Sequence, residues 1–592
     1  MDYSLTKTDI EKEKRKGVIK TAWRRLVPLM AEEKRTLAVS MTAALANSAT
    51  SLISPIIIAR IVDTYIAGHD FHGVLSFSGL LAIIFIIGLI ANYLQIITMG
   101  GMGRRLLFNL RNKIFAKLQE LPVAFFNQNK SGDLISRINN DTDKLNQFFS
   151  QALMQFVSSI VLMAGTAIFI VIINPKLGIM ALIPAAAAMI VTRLLSPWVK
   201  RANLKSLRAL GGMSGEIQES IANFKVIVAF NRLDYFRERF KEANEKNYSA
   251  SVSSGIAGNV FNPIYLLVSA LAQLSVLAYG IRLIEHGDFT VGLLIGFLLY
   301  VNNFYTPLRQ LASVWPSLQL ALAGLDRISE VLNIKPDMET IPREESDGQH
   351  PESPFVLEFK NVSFRYEGGK GVLENISLSL EKGKTYALVG PTGGGKTTTA
   401  SLMARLYDPS EGTVFLEGRD IRSYESRERA KKIGFILQDP FLFNGTVREN
   451  ILYGNDDYAG SGSDEIDEAI KASGLMKLMS RFPEGLDTRV ASSGDSMSLG
   501  QKQIIAFIRA VLRNPDILIL DEATANIDTV TEQLLEEIIG KLPQKTTKVI
   551  IAHRLNTIEN ADCIFFVNAG HVTNAGSMQH AVDMLMHGER AS

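Results

Sequence analysis

The chain contains 592 residues, of which 47% are hydrophobic and 21% charged, and its formal net charge is +2 at pH 7. This length exceeds the usual ~100–200 residues of one domain, so several units or a membrane-embedded part are expected. The near balance of charge excludes a global field of the kind that draws a protein to nucleic acid. A single cysteine, Cys563, excludes an intrachain disulfide.

The first 35 residues are predicted to form a cytoplasmic N-terminus with an interfacial elbow helix. Residues 1–17 are mostly charged and no short apolar core follows them, so no cleavable signal peptide is expected. Residues 18–34 place Trp23, Leu26 and Met30 at steps of three and four, with basic residues largely off that stripe. This pattern is typical of a helix lying in the membrane surface, although a packed soluble helix has the same periodicity.

Six long apolar segments follow, and together they predict an all-α transmembrane domain over residues 36–330. Each segment is free of Asp, Glu, Lys and Arg, and a membrane span needs ~20 apolar residues. The fourth segment is short and must run on towards Leu195. The segments are Thr36–Ala59, Val74–Thr98, Ala152–Asn174, Leu177–Thr192, Ser249–Ile281 and Thr290–Leu308.

The loops between the spans set their orientation. The short connections at 67–73, 174–176 and 282–289 contain few basic residues, whereas the loops after the second and fourth spans contain many. Basic loops stay on the cytoplasmic side, so both long loops and both termini are predicted to be cytoplasmic. The tips of the long loops are expected at residues 122–132 and 219–230.

Polar side chains inside the predicted spans are candidates for a substrate cavity, because a polar group that faces lipid is costly. Such residues also bond neighbouring helices, and both alternatives are open at this point. Arg60 and Asp63, three residues apart near the outer end of the first span, are predicted to pair with each other. The cavity candidates are Asn92, Gln95, Asn259, Asn262, Gln273, Tyr300, Asn302, Asn303 and Tyr305.

The pattern changes after the last span. Residues 331–354 are polar and rich in Pro and Glu, which indicates a linker. Residues 355–592 alternate short strands with helices, which predicts an α/β domain.

A glycine-rich loop in this α/β half predicts a site for the polyphosphate of a nucleotide. It follows the apolar strand-like run Thr385–Val389 and precedes a helix-like run to Tyr407, and in that context its backbone N–H groups can wrap a polyphosphate. Lys396 is predicted to reach the β- and γ-phosphates and Thr397 to ligate Mg²⁺. The loop consists of Gly390, Pro391, Thr392, Gly393, Gly394, Gly395, Lys396, Thr397 and Thr398.

Two acidic residues follow the continuous apolar run at 517–520, which suits a buried parallel strand. Ligands bind at the carboxyl ends of such strands. Asp521 is therefore predicted to hold Mg²⁺ through water, and Glu522 to orient or deprotonate the attacking water. An acidic pair that only caps a helix is the structural alternative.

Four further features have a structural and a functional interpretation. Ser498, Leu499, Gly500 and Gln501 open a predicted helix and fit a capping box, yet an exposed helix start is also an anion site. Gln438, His553 and Tyr366 each follow a predicted strand. Taken singly, a Gln, His or Tyr at a strand end is ordinary half-buried surface.

The order and spacing of these features resemble the nucleotide-binding domain of ATP-binding-cassette proteins. Six preceding spans with two long cytoplasmic loops resemble an exporter-type half-transporter of that family. The resemblance implies that Tyr366 stacks on adenine, that Gln438 contacts Mg²⁺ and the attacking water, and that His553 contacts the γ-phosphate. It places Asp528 in a loop that crosses between two nucleotide domains.

The resemblance also implies that the ATP site is shared between two chains. Ser498 and Gly500 of one chain would close the site that contains Lys396 of the other, and the tips of the two long loops would form coupling helices. The family signature is usually LSGGQ, but here Leu499 stands where its first glycine is expected, and Ser492 stands where a glutamate is common. Such departures resemble one member of an asymmetric heterodimeric exporter, so a heterodimer is favoured over a homodimer.

The sequence therefore predicts an ATP-driven multidrug-type exporter subunit, multi-pass in the bacterial plasma membrane, for a lipophilic, drug-like, lipid or peptide substrate. The open alternatives are an importer of a metal chelate on the same scaffold and a nucleotide-gated channel or regulator. A soluble ATPase is disfavoured by the six uncharged spans, and no nucleic-acid partner is expected.

Overall fold

The computed structural model describes residues 3, 5, 31–336, 338, 340–342, 353–458, 460–491, 497–521, 529–551, 561–576, 579–581 and 584. These residues form two compact units, which are described separately. The helical unit contains the described residues of 6–119 and 131–333, and the other unit contains those of 1–5, 120–130 and 334–592. The predicted domain boundaries at 36, 331 and 355 stay predictions, and most of the predicted interfacial helix lies outside the described residues.

Three helices of the first part of the chain, with 50, 48 and 42 residues, are much longer than the ~20 residues that span a bilayer. Short π-helical stretches extend or join other helices at Ile61–Ile66, Arg137–Asp141 and Phe148–Ala152. The α-helices are α1 (Lys34–Arg60), α2 (Phe71–Glu120), α3 (Val123–Gln128), α4 (Ser131–Ser136), α5 (Thr142–Gln147), α6 (Leu153–Ile173), α7 (Pro175–Ala222), α8 (Phe224–Ala229), α9 (Leu233–Asn259), α10 (Phe261–Glu285) and α11 (Val291–Leu332).

Six helical stretches among the described residues are long and apolar enough to cross a membrane, which confirms the predicted all-α transmembrane class. The fourth continues past Leu195 to Ala222, because no cap or turn interrupts it. It begins sharply, since Pro175 occupies its first position and the Asn174 side chain accepts hydrogen bonds from the N–H groups of Lys176 and Leu177. The stretches are Lys34–Ile66, Phe71–Glu120, Ser131–Ile173, Pro175–Ala222, Leu233–Glu285 and Val291–Leu332.

The predicted pairing of Arg60 with Asp63 is wrong. Asp63 lies in a π-helical turn and instead accepts hydrogen bonds from Thr290 Oγ1 at 2.5 Å and from the N–H of Gly292 at 2.7 Å. It thereby satisfies orphan donors at the start of α11 and places a negative charge at the positive end of that helix. Arg60 lies over the ring of Phe77, 5.8 Å from its centroid.

Several polar residues of the predicted spans join helices rather than face open space. The Tyr300 hydroxyl donates to the Leu52 carbonyl at 2.5 Å, and Asn303 Nδ2 donates to the Ser51 carbonyl at 3.0 Å. The Tyr305 hydroxyl donates to the Ala181 carbonyl at 2.7 Å. These bonds tie α11 to α1 and α7.

The other unit contains an α/β domain with two main sheets, which confirms the second predicted fold class. One sheet is antiparallel in the order β2-β1-β4-β5, and the larger is mostly parallel in the order β12-β11-β3-β10-β9-β6. The strands are β1 (Phe355–Arg365), β2 (Gly371–Glu381), β3 (Thr385–Val389), β4 (Glu411–Leu416), β5 (Arg419–Asp420), β6 (Ile433–Ile436), β7 (Gly445–Thr446), β8 (Arg489–Val490), β9 (Ile517–Asp521), β10 (Thr547–Ile551), β11 (Cys563–Asn568) and β12 (His571–Asn574).

Three clusters of apolar side chains pack against the larger sheet in the described part of this domain. Strands β3, β9 and β10 are almost entirely buried, as expected of parallel strands covered on both faces. The helices of this domain are α12 (Lys396–Met403), α13 (Ser426–Lys432), α14 (Val447–Leu452), α15 (Ser463–Ala472), α16 (Met476–Met479), α17 (Leu499–Val511) and α18 (Thr529–Lys541).

The tip of the first long loop belongs to this same unit. Helix α3 begins after Pro122 and buries Phe125. The N–H of Tyr3 donates to Gln128 Oε1 at 2.7 Å, and the N–H of Leu5 donates to Asn129 Oδ1 at 3.0 Å. A segment that lies between two membrane helices in sequence is thus packed into the compact unit of the α/β domain.

Candidate nucleotide-binding site

Parallel pairing brings the phosphate loop and the acidic strand end to one edge of the sheet. Strand β10 lies between β3 and β9, and Ile551 is in register with Leu388 on one side and with Asp521 on the other. The loop that follows β3 and the carboxylate of Asp521 therefore leave the sheet side by side. This is the edge at which open α/β sheets bind their ligands.

The glycines of the loop are required by its path. Gly390 has φ 145°, and a Cβ there would lie 2.0 Å from the Val567 carbonyl oxygen. Gly395 has φ 114°, and a Cβ there would lie 2.7 Å from Leu373 Cδ2. A side chain at Gly390 would push the loop off β11, and one at Gly395 would meet β2. The close path of the loop, which suits a polyphosphate cradle, therefore depends on both glycines.

The Lys396 side chain folds back across the start of the phosphate loop. Its side chain is buried, with 5% exposed, and Nζ donates to the carbonyl oxygens of Gly390 at 2.8 Å and Pro391 at 3.0 Å. An ammonium in this place, at the start of α12, offsets the negative charge of a bound polyphosphate together with the helix N-terminus.

Thr397 and Asp521 present two oxygen atoms suited to a magnesium ion. Thr397 Oγ1 donates to Asp521 Oδ1 at 3.4 Å, and Asp521 is 3% exposed. Hydroxyl and carboxylate oxygens are the ligands that Mg²⁺ prefers, usually with several waters kept. The donor set therefore fits the predicted metal, and the separate roles predicted for Thr397 and Asp521 stay predictions.

Tyr366 directly follows β1 and lies beside the phosphate loop. Its hydroxyl is 3.2 Å from Thr398 Oγ1, and its ring meets those of Phe364 and Tyr407 edge-on at centroid distances of 4.9 and 5.4 Å. The residue is 39% exposed, so part of the ring is free to stack on a base. Tyr407 was not predicted as part of the site but only as the end of a helix, and that helix ends at Met403.

The loop after β6 contains Gln438, and a side chain of helix α17 contacts the backbone of that loop. Gln503 is 2% exposed, and its Nε2 lies 3.5 Å from the Gln438 carbonyl oxygen. Gln503 was not predicted, although a polar residue among the apolar residues of a buried helix face was a visible signal.

A second pair of residues fixes the same loop further on. Asn450 is 1% exposed, accepts from the N–H of Phe443 at 2.8 Å and donates back to the Phe443 carbonyl at 2.9 Å. Arg509 Nε donates to the Asn450 carbonyl at 2.7 Å, and Nη1 donates to the Phe441 carbonyl at 3.3 Å. Burial lowers the pKa of Arg509. Nothing in the local sequence pattern indicated that Asn450 and Arg509 hold this loop.

The predicted capping box at the start of α17 is confirmed. The N–H of Gln501 donates to Ser498 Oγ at 3.2 Å, and the N–H of Ser498 donates to Gln501 Oε1 at 3.0 Å. Ser498 is exposed, while Leu499 and Gly500 are half-buried. The serine is thus available at a helix start that lies within an exposed turn, and its possible role towards a second chain stays a prediction.

Three predicted site residues, Glu522, Asp528 and His553, lie outside the described residues. Their roles stay predictions. The strand that precedes Glu522 ends at Asp521, and the strand that precedes His553 ends at Ile551.

Comparison with known families decides the identity of the chain. Residues 37–308 match a family model described as the ABC transporter transmembrane region, and residues 373–525 match one described as ABC transporter. A protein of Bacillus subtilis (strain 168) named "Uncharacterized ABC transporter ATP-binding protein YfiC" is 33% identical over 577 residues, which cover 95% of this chain and 91% of the relative. The chain belongs to the ABC transporter family.

Two further relatives of this ABC transporter have names that mention a cargo. The "Fatty acid ABC transporter ATP-binding/permease protein" of Mycobacterium bovis (strain ATCC BAA-935 / AF2122/97) is 34% identical over 80% of this chain and 74% of its own length. The "Putative multidrug export ATP-binding/permease protein YgaD" of Bacillus subtilis (strain 168) is 30% identical over 93% of this chain and 95% of its own length.

Membership of this family decides three predictions: the half-transporter architecture, the integral membrane location and the ATPase activity. The ABC transporter carries its transmembrane region and its ATP-binding domain in one chain, which confirms the half-transporter architecture. It is an integral, multi-pass membrane protein, and it is an ATPase whose ATP binding and hydrolysis are coupled to transport.

Proposed function

We propose that this transporter is an exporter subunit that moves a lipophilic, drug-like, lipid or peptide substrate out of the cytoplasm by alternating access. The proposal rests on one observation. The same chain contains six apolar stretches that can cross a membrane and the site residues Lys396, Thr397 and Asp521. ATP supplies the free energy when bound, and closure of two nucleotide domains would turn the substrate cavity outward. The name of the multidrug-export relative supports the direction.

Each residue of the site has a part in this proposal. The loop from Gly390 to Thr398 binds and orients the phosphates, with the Lys396 ammonium offsetting their charge. Thr397, Asp521 and Gln438 would hold Mg²⁺, and Tyr366 would stack on the adenine. Glu522 would take a proton from the attacking water, and His553 would contact the γ-phosphate.

We further propose that the working unit has two different subunits. The exposed Ser498, with Gly500, would close the partner's site, and Asp528 would lie in the loop that crosses between domains. Leu499 occupies a position where a glycine is usual, which would weaken this chain's contribution to its partner's site. Because Lys396, Asp521, Glu522 and His553 are all intact, this chain would supply the catalytic wall of the competent site.

The membrane is proposed to be a bacterial plasma membrane with both termini and the nucleotide-binding domain in the cytoplasm. The basic residues of the two long loops support this orientation. The bacterial relatives named above support the setting.

A substitution at Glu522 tests the proposed chemistry. Glu522→Gln should abolish turnover while ATP binding is retained, because the base is lost but the phosphate loop is intact. The measurement is steady-state hydrolysis and retained radiolabelled nucleotide in the purified chain with any copurifying subunit. Lys396→Ala is the matched comparison, since it should lose nucleotide binding as well. Rapid hydrolysis by Glu522→Gln would overturn the assignment.

A flux measurement separates the exporter from the two other functions that the scaffold allows. In proteoliposomes, uphill efflux that stops with Glu522→Gln supports export. Uphill uptake into the cytoplasmic side supports an importer, and downhill ion current supports a channel.

A further inference from the structure

We propose that Arg509 is a positioning residue for ATP hydrolysis. Together with Asn450 it fixes the loop that contains Gln438, and its loss slows hydrolysis because Gln438 is displaced. The inference rests on the role proposed above for Gln438 at Mg²⁺, and it adds a residue to that site. Arg509 lies on α17 and Asn450 on α14, and both belong to the same compact unit as the phosphate loop.

The guanidinium of Arg509 binds both the loop and the helix that follows the loop. Nε donates to the Asn450 carbonyl at 2.7 Å, Nη2 donates to Asn450 Oδ1 at 3.1 Å, and Nη1 donates to the Phe441 carbonyl at 3.3 Å. All three nitrogens are used, and the rigid plane of a guanidinium fixes the relative positions of its three acceptors. A lysine has a single nitrogen on a flexible stem and cannot hold these acceptors in the same arrangement.

Asn450 connects Arg509 to the next part of the loop. Its side chain is 1% exposed, accepts from the N–H of Phe443 at 2.8 Å, and donates to the carbonyls of Phe443 at 2.9 Å and Thr446 at 3.0 Å. The amide thus satisfies both backbone polar groups of Phe443, as a neighbouring strand would. Residues 441–446 are therefore held by side chains of α14 and α17.

The positive charge of Arg509 makes its bonds to the loop costly to break. The side chain is half-buried, and burial lowers the pKa of Arg509. Among the described residues, its hydrogen-bond acceptors are neutral oxygens, and Cζ lies 5.5 Å from the centroid of the Tyr453 ring. A charge that is taken out of water needs such partners. A displaced loop would leave the guanidinium with fewer of them, so Arg509 and the loop stabilise each other.

Gln438 leaves the sheet next to the proposed magnesium site. Ile436 is the last residue of β6 and is in register with Leu520 of β9, the strand that ends at Asp521. The loop that contains Gln438 therefore starts beside the carboxylate that is proposed to hold Mg²⁺.

The backbone is fixed on both sides of Gln438. Strand β6 ends two residues before it, and Arg509 binds the Phe441 carbonyl three residues after it. Residues 437–439 between these points are exposed, so the place of the Gln438 side chain depends on the two fixed ends. A misplacement of ~1 Å at a reacting group can cost ~100-fold in rate. A change at Arg509 should therefore affect the reaction through Gln438.

Arg513 provides a matched control for Arg509. It lies four residues further along the chain and is also half-buried, but it donates to the Ala430 carbonyl, which precedes β6. Substituting lysine removes a guanidinium in both cases, and only the change at Arg509 removes the described bonds to the loop of Gln438.

The test is a double-mutant cycle on the full chain with any copurifying subunit. Arg509→Lys, Gln438→Ala, the combination of the two, and Arg513→Lys are compared with the wild type. Steady-state hydrolysis gives kcat and KM for ATP, binding of a fluorescent ATP analogue reports on the phosphate loop, and a thermal melt reports on folding. If Arg509→Lys does not fold, Asn450→Asp takes its place in the cycle, because it keeps an oxygen for Arg509 but loses both donors to the loop carbonyls.

Arg509→Lys is expected to lower kcat about tenfold, while KM and binding of the analogue stay within about twofold of the wild type. Gln438→Ala should lower kcat at least as much. The double variant should match Gln438→Ala within about twofold, because Arg509 acts through the residue that is already removed. Arg513→Lys should keep kcat within about twofold of the wild type.

Three results would overturn the inference alone, provided that Gln438→Ala slows hydrolysis. They are an unchanged kcat for Arg509→Lys, kcat losses that multiply in the double variant, and an equal loss for Arg513→Lys. The proposed role of Gln438 stands in all three cases. An unchanged kcat for Gln438→Ala instead contradicts that proposed role, and the inference about Arg509 fails with it.

Discussion

Asn127 donates a hydrogen bond to the Tyr407 hydroxyl oxygen at 2.6 Å. Asn127 lies on α3, in the loop between two membrane helices, whereas Tyr407 follows the phosphate-loop helix of the nucleotide-binding domain. The Tyr407 ring meets that of Tyr366 edge-on at 5.4 Å, and the Tyr366 hydroxyl is 3.2 Å from Thr398 Oγ1. Four side chains thus connect the loop tip to the phosphate loop within one compact unit.

Tyr407→Phe should loosen the loop tip without unfolding the domain. The ring contacts remain, but one hydrogen bond worth ~1 kcal/mol is lost, so amide hydrogen exchange of Val123–Gln128 should accelerate about fivefold. The measurement is exchange by mass spectrometry on the intact chain. Asn127→Ala added to Tyr407→Phe should change little more, because both remove the same bond.

Tyr424→Phe is the control for this experiment. The Tyr424 hydroxyl donates to the Leu416 carbonyl at 2.8 Å inside the nucleotide-binding domain. Its loss should lower domain stability while exchange of Val123–Gln128 stays at the wild-type rate. If Tyr407→Phe also leaves that exchange unchanged, the hydrogen bond to Asn127 does not hold the tip.

Arg137→Ala should destabilise the helical unit strongly. Arg137 is 2% exposed and donates to Asp133 Oδ2 at 2.9 Å, to the Arg327 carbonyl at 2.6 Å and to Glu330 Oε2 at 2.7 Å. The substitution removes three hydrogen bonds and empties a buried position, which should cost about 3–5 kcal/mol. The carboxylates of Asp133 and Glu330 are 40% and 29% exposed, and Asp133 keeps its ion pair with Arg327. A thermal melt of the detergent-solubilised protein measures the loss.

Arg237→Ala provides the comparison for that melt. Arg237 pairs with Asp234 at 3.2 Å, and the two side chains are 77% and 96% exposed. Exposed ion pairs contribute ~0–1 kcal/mol, so this variant should melt close to wild type. Comparable losses in the two variants would show that burial of Arg137 does not matter.

The secondary-structure elements could be predicted from local patterns in the sequence. The contacts between residues that are distant in the chain could not. The capping box at Ser498 depends on neighbouring residues, and the phosphate loop follows a fixed local spacing, so both were predicted. The contacts that require its glycines, with Val567 and Leu373, are long-range. The partner of Asp63 was predicted wrongly because Thr290 lies more than two hundred residues away and only tertiary packing brings its helix start near. Asn127 and Gln503 were missed for the same reason, since each acts through a residue distant in the chain.

The ion pair between Glu33 and Arg105 stabilises the protein, and this contribution should change with pH only under acidic conditions. The hydrogen bond from Arg105, at 2.6 Å, lowers the pKa of Glu33 from 4.5 to about 2. A carboxyl whose pKa is lower in the folded state stabilises the protein above its unfolded pKa, and this contribution is lost as pH falls through the folded value. The stabilisation should therefore be complete above pH ~5 and decline between pH ~4.5 and ~2.

Glu33→Gln tests this window. Melting temperatures of wild type and variant are compared at several pH values from neutral to acid. Their difference should be constant at neutral pH and should shrink as pH falls below about 4.5. A difference that is the same at pH ~3 and pH ~7 contradicts the assigned pKa.

Asp521→Asn should raise the magnesium requirement of the ATPase without preventing nucleotide binding. The amide can still accept the hydrogen bond from Thr397, 3.4 Å away in the native protein, but it has no charge for the metal. Loss of a residue that holds a metal through water typically costs about 10–100-fold in metal affinity or activity. Hydrolysis is measured against magnesium concentration, and binding of a fluorescent ATP analogue is measured in chelator.

Asp516→Asn, at the amino end of the same strand and paired with Lys432 at 3.2 Å, should leave both curves unchanged. A magnesium curve for Asp521→Asn that overlays the wild type would remove Asp521 from the metal site, because the carboxylate charge would then be dispensable.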